Sequence, residues 1–170
     1  MKADYEYPLN YFTHKLNLTK GKFVDVGAND GIIGSMTYEL ENQGWSGILI
    51  EPNPKLAQHL KLVRTSPVFQ NAISSNEGEL DFYIVEGPGN LHGLSRFHYT
   101  EEFGNHVLNS GGAVHKTAVQ VRKISNIMNE AENLDHVDFL KIDVEGHEHE
   151  VLKSFDFVKF RPALIVTEDN

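Results

Sequence analysis

The stretch Phe23-Val24-Asp25-Val26-Gly27-Ala28-Asn29-Asp30-Gly31 decides how the chain is read. Phe23 to Val26 is a short apolar run of the kind that forms a strand buried on both faces. A glycine-rich turn follows it. Ile32 to Gln43 then reads as a helix, with Ile33, Met36, Thr37 and Leu40 on one face and Gly44 as its stop. Working outward, Gly47 to Ile50 is a second strand, and Pro54 to Val63 a second helix opened by proline. Val68 to Asn71 is a third strand. The rhythm returns with Val137 to Asp143, a helix from about Gly146 to Ser154, and a last strand at Ala163 to Val166.

Strands alternating with helices imply a mostly parallel sheet covered on both faces. Right-handed crossovers leave little besides a doubly wound, Rossmann-like α/β fold. Ligands of such sheets bind outside the carboxyl ends of the strands. Asp25, Glu51, Asn71, Asp143 and Glu168 all fall at those ends. Residues 1 to 21 read as a lead-in segment, helical around Tyr11 to Leu18, and residues 22 to 170 as one domain. In its middle, Glu79 to Val85 and Lys116 to Val121 alternate like strands that pair with each other. Between them residues 86 to 112 form a long loop region, and loops of that length in compact domains tend to be functional or mobile.

Composition narrows the class. The 170 residues suffice for one domain with a hydrophobic core. No apolar run is long enough to cross a bilayer, and the start lacks the basic-then-apolar order of a secretion signal. There is no cysteine, so neither a disulfide framework nor a thiolate metal site is available. These features lead us to expect a cytoplasmic protein without a membrane partner. A formal net charge of −9 argues against a nucleic-acid partner. The nine histidines are scattered along the chain.

The glycine turn carries the chemistry. A pyrophosphate needs close backbone approach before a helix, the G-x-G-x-x-G arrangement. Here Asp25 and Asp30 stand in or beside Gly27-Ala28-Asn29-Asp30-Gly31, and their charge would repel it. S-adenosylmethionine brings an ammonium, a carboxylate and a sulfonium, with no phosphate. An acid at the strand end suits the ammonium and a following helix N-terminus the carboxylate. Gly27 and Gly31 also have the plainer reading of a tight strand-to-helix turn. Glu51, about twenty residues further on, stands where an acid takes both ribose hydroxyls, a device shared with NAD enzymes. Pro52 fixes the backbone where an adenine face would pack. Asn71 and Ala72 stand where the adenine edge would lie, although an asparagine there is equally an ordinary turn residue.

The blocks FVDVGANDG, ILIEPNP, NAISSNEGELDFY and FLKIDVEGHEHEVLKS, in this order and spacing, resemble the FkbM-type methyltransferases. The resemblance covers roughly Lys22 to Asn170. It implies a class I methyltransferase sheet, S-adenosylmethionine as cofactor and transfer to a hydroxyl oxygen. By position, Asp25, Gly27 and Asn29 match the first cofactor block, Glu51 the ribose acid and Asn71-Ala72 the adenine edge. Asp143, Glu145 and Gly146 match the block that faces the methyl group. The sequence ends just past its fifth strand, so the C-terminal antiparallel strand pair of that class is expected to be missing, and with it one wall of the acceptor pocket.

An activated methyl donor asks the protein to align the acceptor and remove its proton. Asp143, Glu145 and His147 are the candidate bases. An imidazole has the suitable ordinary pKa, but each histidine taken alone reads first as solvated surface. His147 and His149, two apart on a helix, cannot share one site, which excludes a helical zinc pair. Asp143, Glu168 and Asn170 form an oxygen set of the kind that holds Mg2+, which would lower the acceptor's pKa; residues 167 to 170 read equally as a polar chain end. His92 and Ser95, in the long loop, stand near where the family places acceptor-facing residues.

The expectation is thus an enzyme methylating a hydroxyl on a sugar or small metabolite, with a small-molecule or glycan acceptor. A homo-oligomer is compatible with the sequence. A non-catalytic binding or assembly subunit on the same fold, and an NAD-type oxidoreductase, are the alternatives.

Overall fold

A computed structural model describes residues 7 to 168. Five parallel strands form the main sheet in the order β3-β2-β1-β7-β8. They are β1 (Lys22–Val26), β2 (Ser46–Ile50), β3 (Val68–Phe69), β7 (Phe139–Ile142) and β8 (Leu164–Thr167). The order reverses at β1, so the β1 and β7 ends open a crevice where such folds bind ligands.

Alternation along these strands builds two cores. Val24, Val26, Ile48, Ile50, Leu140 and Ile142 face one layer, formed with Ile124, Ile127, Met128, Val151 and Phe160. Phe23, Leu49 and Phe139 face the other, with Leu40, Trp45, Leu60 and Phe12. Phe12 lies in a π-helical turn, Tyr11–Lys15, that follows the short helix α1 (Tyr7–Asn10). Its ring sits 4.6 Å from that of Trp45, so the lead-in segment is stitched onto the domain.

The helices follow local chemistry. Pro54 opens α3 (Pro54–Val63), and the Asn53 side chain accepts from the Lys55 N–H at 3.0 Å. The helix read at Ile32 to Gln43 shrinks to α2 (Tyr38–Asn42). Asp30 explains the loss: one of its oxygens accepts from the N–H groups of both Ile32 and Ile33, at 2.9 Å each. That side-chain turn competes with helix, and Gly34 at φ 72° breaks the next turn. Leu40 and Thr37 are buried as the periodicity implies, but Ile33 is exposed.

A second sheet lies across the middle, in the order β4-β6-β5. The strand read at Val68 to Asn71 is shortened to Val68–Phe69; the chain then changes sheet, and β4 (Ala72–Ile73), just beyond that run, pairs with β6. The two alternating segments do pair, as β5 (Gly78–Glu86) antiparallel to β6 (Ala113–Arg122). Residues 86 to 112, expected as loop, contain a 3-10 turn at Leu91–Leu94 and the helix α4 (Glu101–Asn109). Thr100 caps α4 by accepting from the Phe103 N–H at 3.1 Å, a signal present in Thr100-Glu101-Glu102. Two further helices, α5 (Ile124–Glu130) and α6 (Glu148–Lys153), flank β7. Among the described residues no helix is long and apolar enough to cross a membrane.

Candidate active site

A cleft of about 590 Å³, counted to its open mouth, lies at the carboxyl ends of β1, β2 and β7 and is covered by the β5–β6 sheet and its loop. Of the residues picked out from sequence, Gly27, Asn29, Glu51, Pro52, Asn71, Ala72, His92, Ser95, Asp143 and Glu145 line it. Four separate strand ends and the long loop therefore converge as the spacing required. Val26, Ile50, Ile73, Phe82, Phe97 and Val144 supply its apolar surface.

Glu51 is 5% exposed. Its two oxygens accept from the N–H of Asn29 at 2.9 Å and of Asn53 at 2.8 Å, so the acid ties the β1 turn to the start of α3. Burial pushes its carboxyl up to about 7, against the opposing pull of the two N–H groups and Lys141. Each oxygen retains a lone pair for a further donor. Asn29 holds a left-handed backbone, φ 55°, which brings its N–H onto Glu51. Its side-chain oxygen is buried with no hydrogen-bond partner, and so is Nε2 of His92.

Other residues take different roles from those expected. Asp25 is 1% exposed and does not line the cleft. It accepts from the Thr37 hydroxyl at 2.6 Å and lies 3.3 Å from the Lys141 ammonium, its neighbour across the β1–β7 ladder. It therefore lies beneath the floor of the cleft. Gly31 also lies outside the lining. A Cβ there would meet Leu60 at 2.3 Å, so this glycine serves the packing of α3. The helix N-terminus expected after the turn is absent, because α2 begins only at Tyr38.

Ser95 lines the cleft but its one hydroxyl hydrogen is used: the group donates to the His92 carbonyl at 2.8 Å and accepts from the Val85 N–H at 3.0 Å. Its part is to fasten the loop. His147 is not in the lining; its Nε2 is 3.1 Å from the Ser74 hydroxyl and its ring packs on Phe97 at 4.6 Å. Burial, helped by nearby His98, lowers its pKa. Of the three candidate bases, Asp143 and Glu145 line the cleft.

Glu145 is half-buried in a left-handed conformation, φ 56°, and pairs with Arg96 at 2.5 Å. Burial raises its pKa, with Glu168 and Asp143 adding to that and Arg96 opposing it. Asp143, Glu145 and Glu168 present oxygens within 4.8 Å of one another. Two of the three residues proposed for Mg2+ thus meet, joined by Glu145, while Asn170 lies outside the described residues. Exposed acid clusters are common without an ion.

Sequence reading missed Lys141. Its buried ammonium donates to the Gly27 carbonyl at 2.6 Å and lies 3.4 Å from Asp143. Its neighbours Asp25 and Asp143 raise its pKa against the opposing effect of burial, which keeps it charged. A lone lysine inside the buried run Phe139-Leu140-Lys141-Ile142 was the available signal. Arg96 and Phe97 were also missed. They sit in an aperiodic stretch, placed by a bridge between Arg96 and Tyr83, and carry no local signal.

No curated protein matches the chain. The crystal structure of methyltransferase FkbM from Methylobacillus flagellatus KT aligns over 85% of this chain at 20% identity, with a TM-score of 0.49. The chain spans 32% of that protein's length. The model of the methyltransferase FkbM domain matches residues 25 to 170, from the buried acid of β1 through both sheets and the whole cleft, and the chain belongs to that methyltransferase family.

Proposed function

We propose that the chain is an S-adenosylmethionine-dependent O-methyltransferase acting on a hydroxyl of a sugar or small metabolite. The observation that carries this reading is the charge of the cleft. Glu51, Asp143 and Glu145 line it, and no lysine or arginine does. Lys141 and Arg96 offset Asp143 and Glu145 from behind, but a lining without lysine or arginine offers a pyrophosphate no cation, which disfavours the NAD alternative. The unpartnered oxygen of Asn29 supplies an acceptor for a ligand N–H or O–H.

In this reading Glu51 takes the ribose hydroxyls, Asn71 and Ala72 border the adenine, and Pro52 packs on it. The cofactor supplies an activated methyl group. Glu145 receives the acceptor's proton: burial has raised its pKa toward the operating range of a general base. Asp143, beside it, favours positive charge at the methyl-bearing end. The acceptor is small or is the end of a glycan.

Calorimetric titration of the purified chain with S-adenosylmethionine and with NAD+ tests the donor. Binding of S-adenosylmethionine in the micromolar range, with NAD+ at least tenfold weaker, is expected; the reverse order sinks the proposal. Methyl transfer to a panel of hydroxylated acceptors, lost in Glu145→Gln with donor affinity kept, would separate an enzyme from a non-catalytic subunit on the same fold.

A further inference from the structure

We propose that His92 is the partner of the cofactor's carboxylate, so that the loop over the cleft belongs to the donor site. The inference rests on the S-adenosylmethionine reading and deepens it. A carboxylate entering the cleft needs a donor, and the backbone N–H groups of the turn are spent except that of Asp30, a residue outside the lining. The N–H groups of Gly27 and Ala28 go to the Ile50 carbonyl, that of Asn29 to Glu51 and that of Gly31 to Ala28. Those of Ile32 and Ile33 go to Asp30. No helix begins within reach of the turn, since α2 starts at Tyr38. At the β7 end, the N–H groups of Asp143 and Val144 are donated to Val26 and to Glu148.

Among the lining residues His92 is the one side chain able to carry a positive charge. Its Nε2 is buried with no partner, a cost the folded protein bears unless a ligand fills the position. The loop is brought to the donor side by its own contacts. A Cβ at Gly93 would lie 3.1 Å from the Asn29 amide nitrogen, so the 3-10 turn rests on the β1 turn. Glu86, at the root of the loop, forms an ion pair with Lys55 at the start of α3. Ser95 fixes the His92 carbonyl, which settles the backbone that carries the imidazole. Asn29 and His92 then face the ligand's amino-acid end from two sides, an acceptor for the ammonium and a donor for the carboxylate.

The test compares two ligands that differ only in this group, S-adenosylmethionine and its decarboxylated form, on the wild-type chain and on His92→Gln and His92→Ala. Calorimetric affinities are the readout, with thermal melting to confirm the fold. Both substitutions should weaken S-adenosylmethionine about tenfold or more, the scale of one charge-assisted hydrogen bond, and leave the decarboxylated ligand within about twofold. An equal loss with both ligands places His92 on the nucleoside or in the fold and overturns the proposal. So does the absence of any loss. If the wild-type chain binds neither ligand, the donor reading itself fails, a result visible before any variant is made.

Discussion

Gly27→Ala is expected to lower the melting temperature by about 10 °C or more and to abolish donor binding. An added Cβ would sit 1.8 Å from the Asp143 carbonyl oxygen, deep inside van der Waals contact. That oxygen belongs to backbone, so no side-chain rotation relieves the overlap. Gly27 also holds φ 78°, which costs an L-residue roughly 1–2 kcal/mol before any clash. The ends of β1 and β7 would have to part. Doing so would stretch the Gly27 carbonyl from Lys141 and the Asp143 N–H from Val26, leaving buried charge short of partners. Together these effects reach about 3–5 kcal/mol, and a domain of this size loses roughly 2–4 °C for each. Differential scanning of the purified variant gives the answer; a shift below 2 °C would mean that the strand ends yield more easily than their hydrogen bonds imply. The glycine is thus required by the closeness of two strand ends.

The same strand ends show where sequence was informative. The strands β1, β2 and β7 were legible because burial on both faces leaves a continuous apolar run, β8 from its apolar run although Ile165 is exposed, and α3 because Pro54 announces its start. Their order along the chain then implied the crevice and placed Glu51, Asn71 and Asp143 around it. The helix after Gly31 was overcalled, since periodicity cannot register that Asp30 captures two N–H groups with its side chain. The switch of sheets at Asn71 was equally invisible: two residues of β4 pair with a strand some fifty residues later, and no local pattern encodes a partner at that distance. The loop of residues 86 to 112 hid α4 because its apolar face is thin, with Val107 alone fully buried. Part of this stretch covers the cleft, so lining residues at the strand ends were found more readily than those on the loop. His92 shows the consequence. Its position in the loop pointed to the acceptor, and the donor role proposed above rests on contacts of Gly93 and Ser95 that no local pattern encodes.

The second large effect concerns Glu51 and pH. Lifting its carboxyl from an ordinary 4.5 to about 7 corresponds to roughly 3 kcal/mol of preference for the neutral form in the folded chain. The folded state therefore binds more protons than the unfolded state between about pH 4.5 and 7. Its contribution to stability is present in full below that window and is lost as pH rises through it. Donor binding should run the opposite way. A sulfonium and a ribose diol both favour the ionised carboxylate, so binding must draw a proton from Glu51 wherever it is still protonated. At pH 6 about nine-tenths of the free protein holds that proton, and affinity should be roughly tenfold weaker than at pH 8. Calorimetry in two buffers of different ionisation enthalpy would register the release of close to one proton on binding at pH 6 and little at pH 8. Glu51→Gln should bind more weakly at pH 8 and show almost no dependence on pH between the two. A slope that survives in Glu51→Gln would transfer the titration to another group, with Glu145, whose pKa burial also raises, as the nearest acid of the cleft to hold it. The same acid would then serve the fold when neutral and the donor when charged, and the bound cofactor, by stabilising the charge, would reconcile the two.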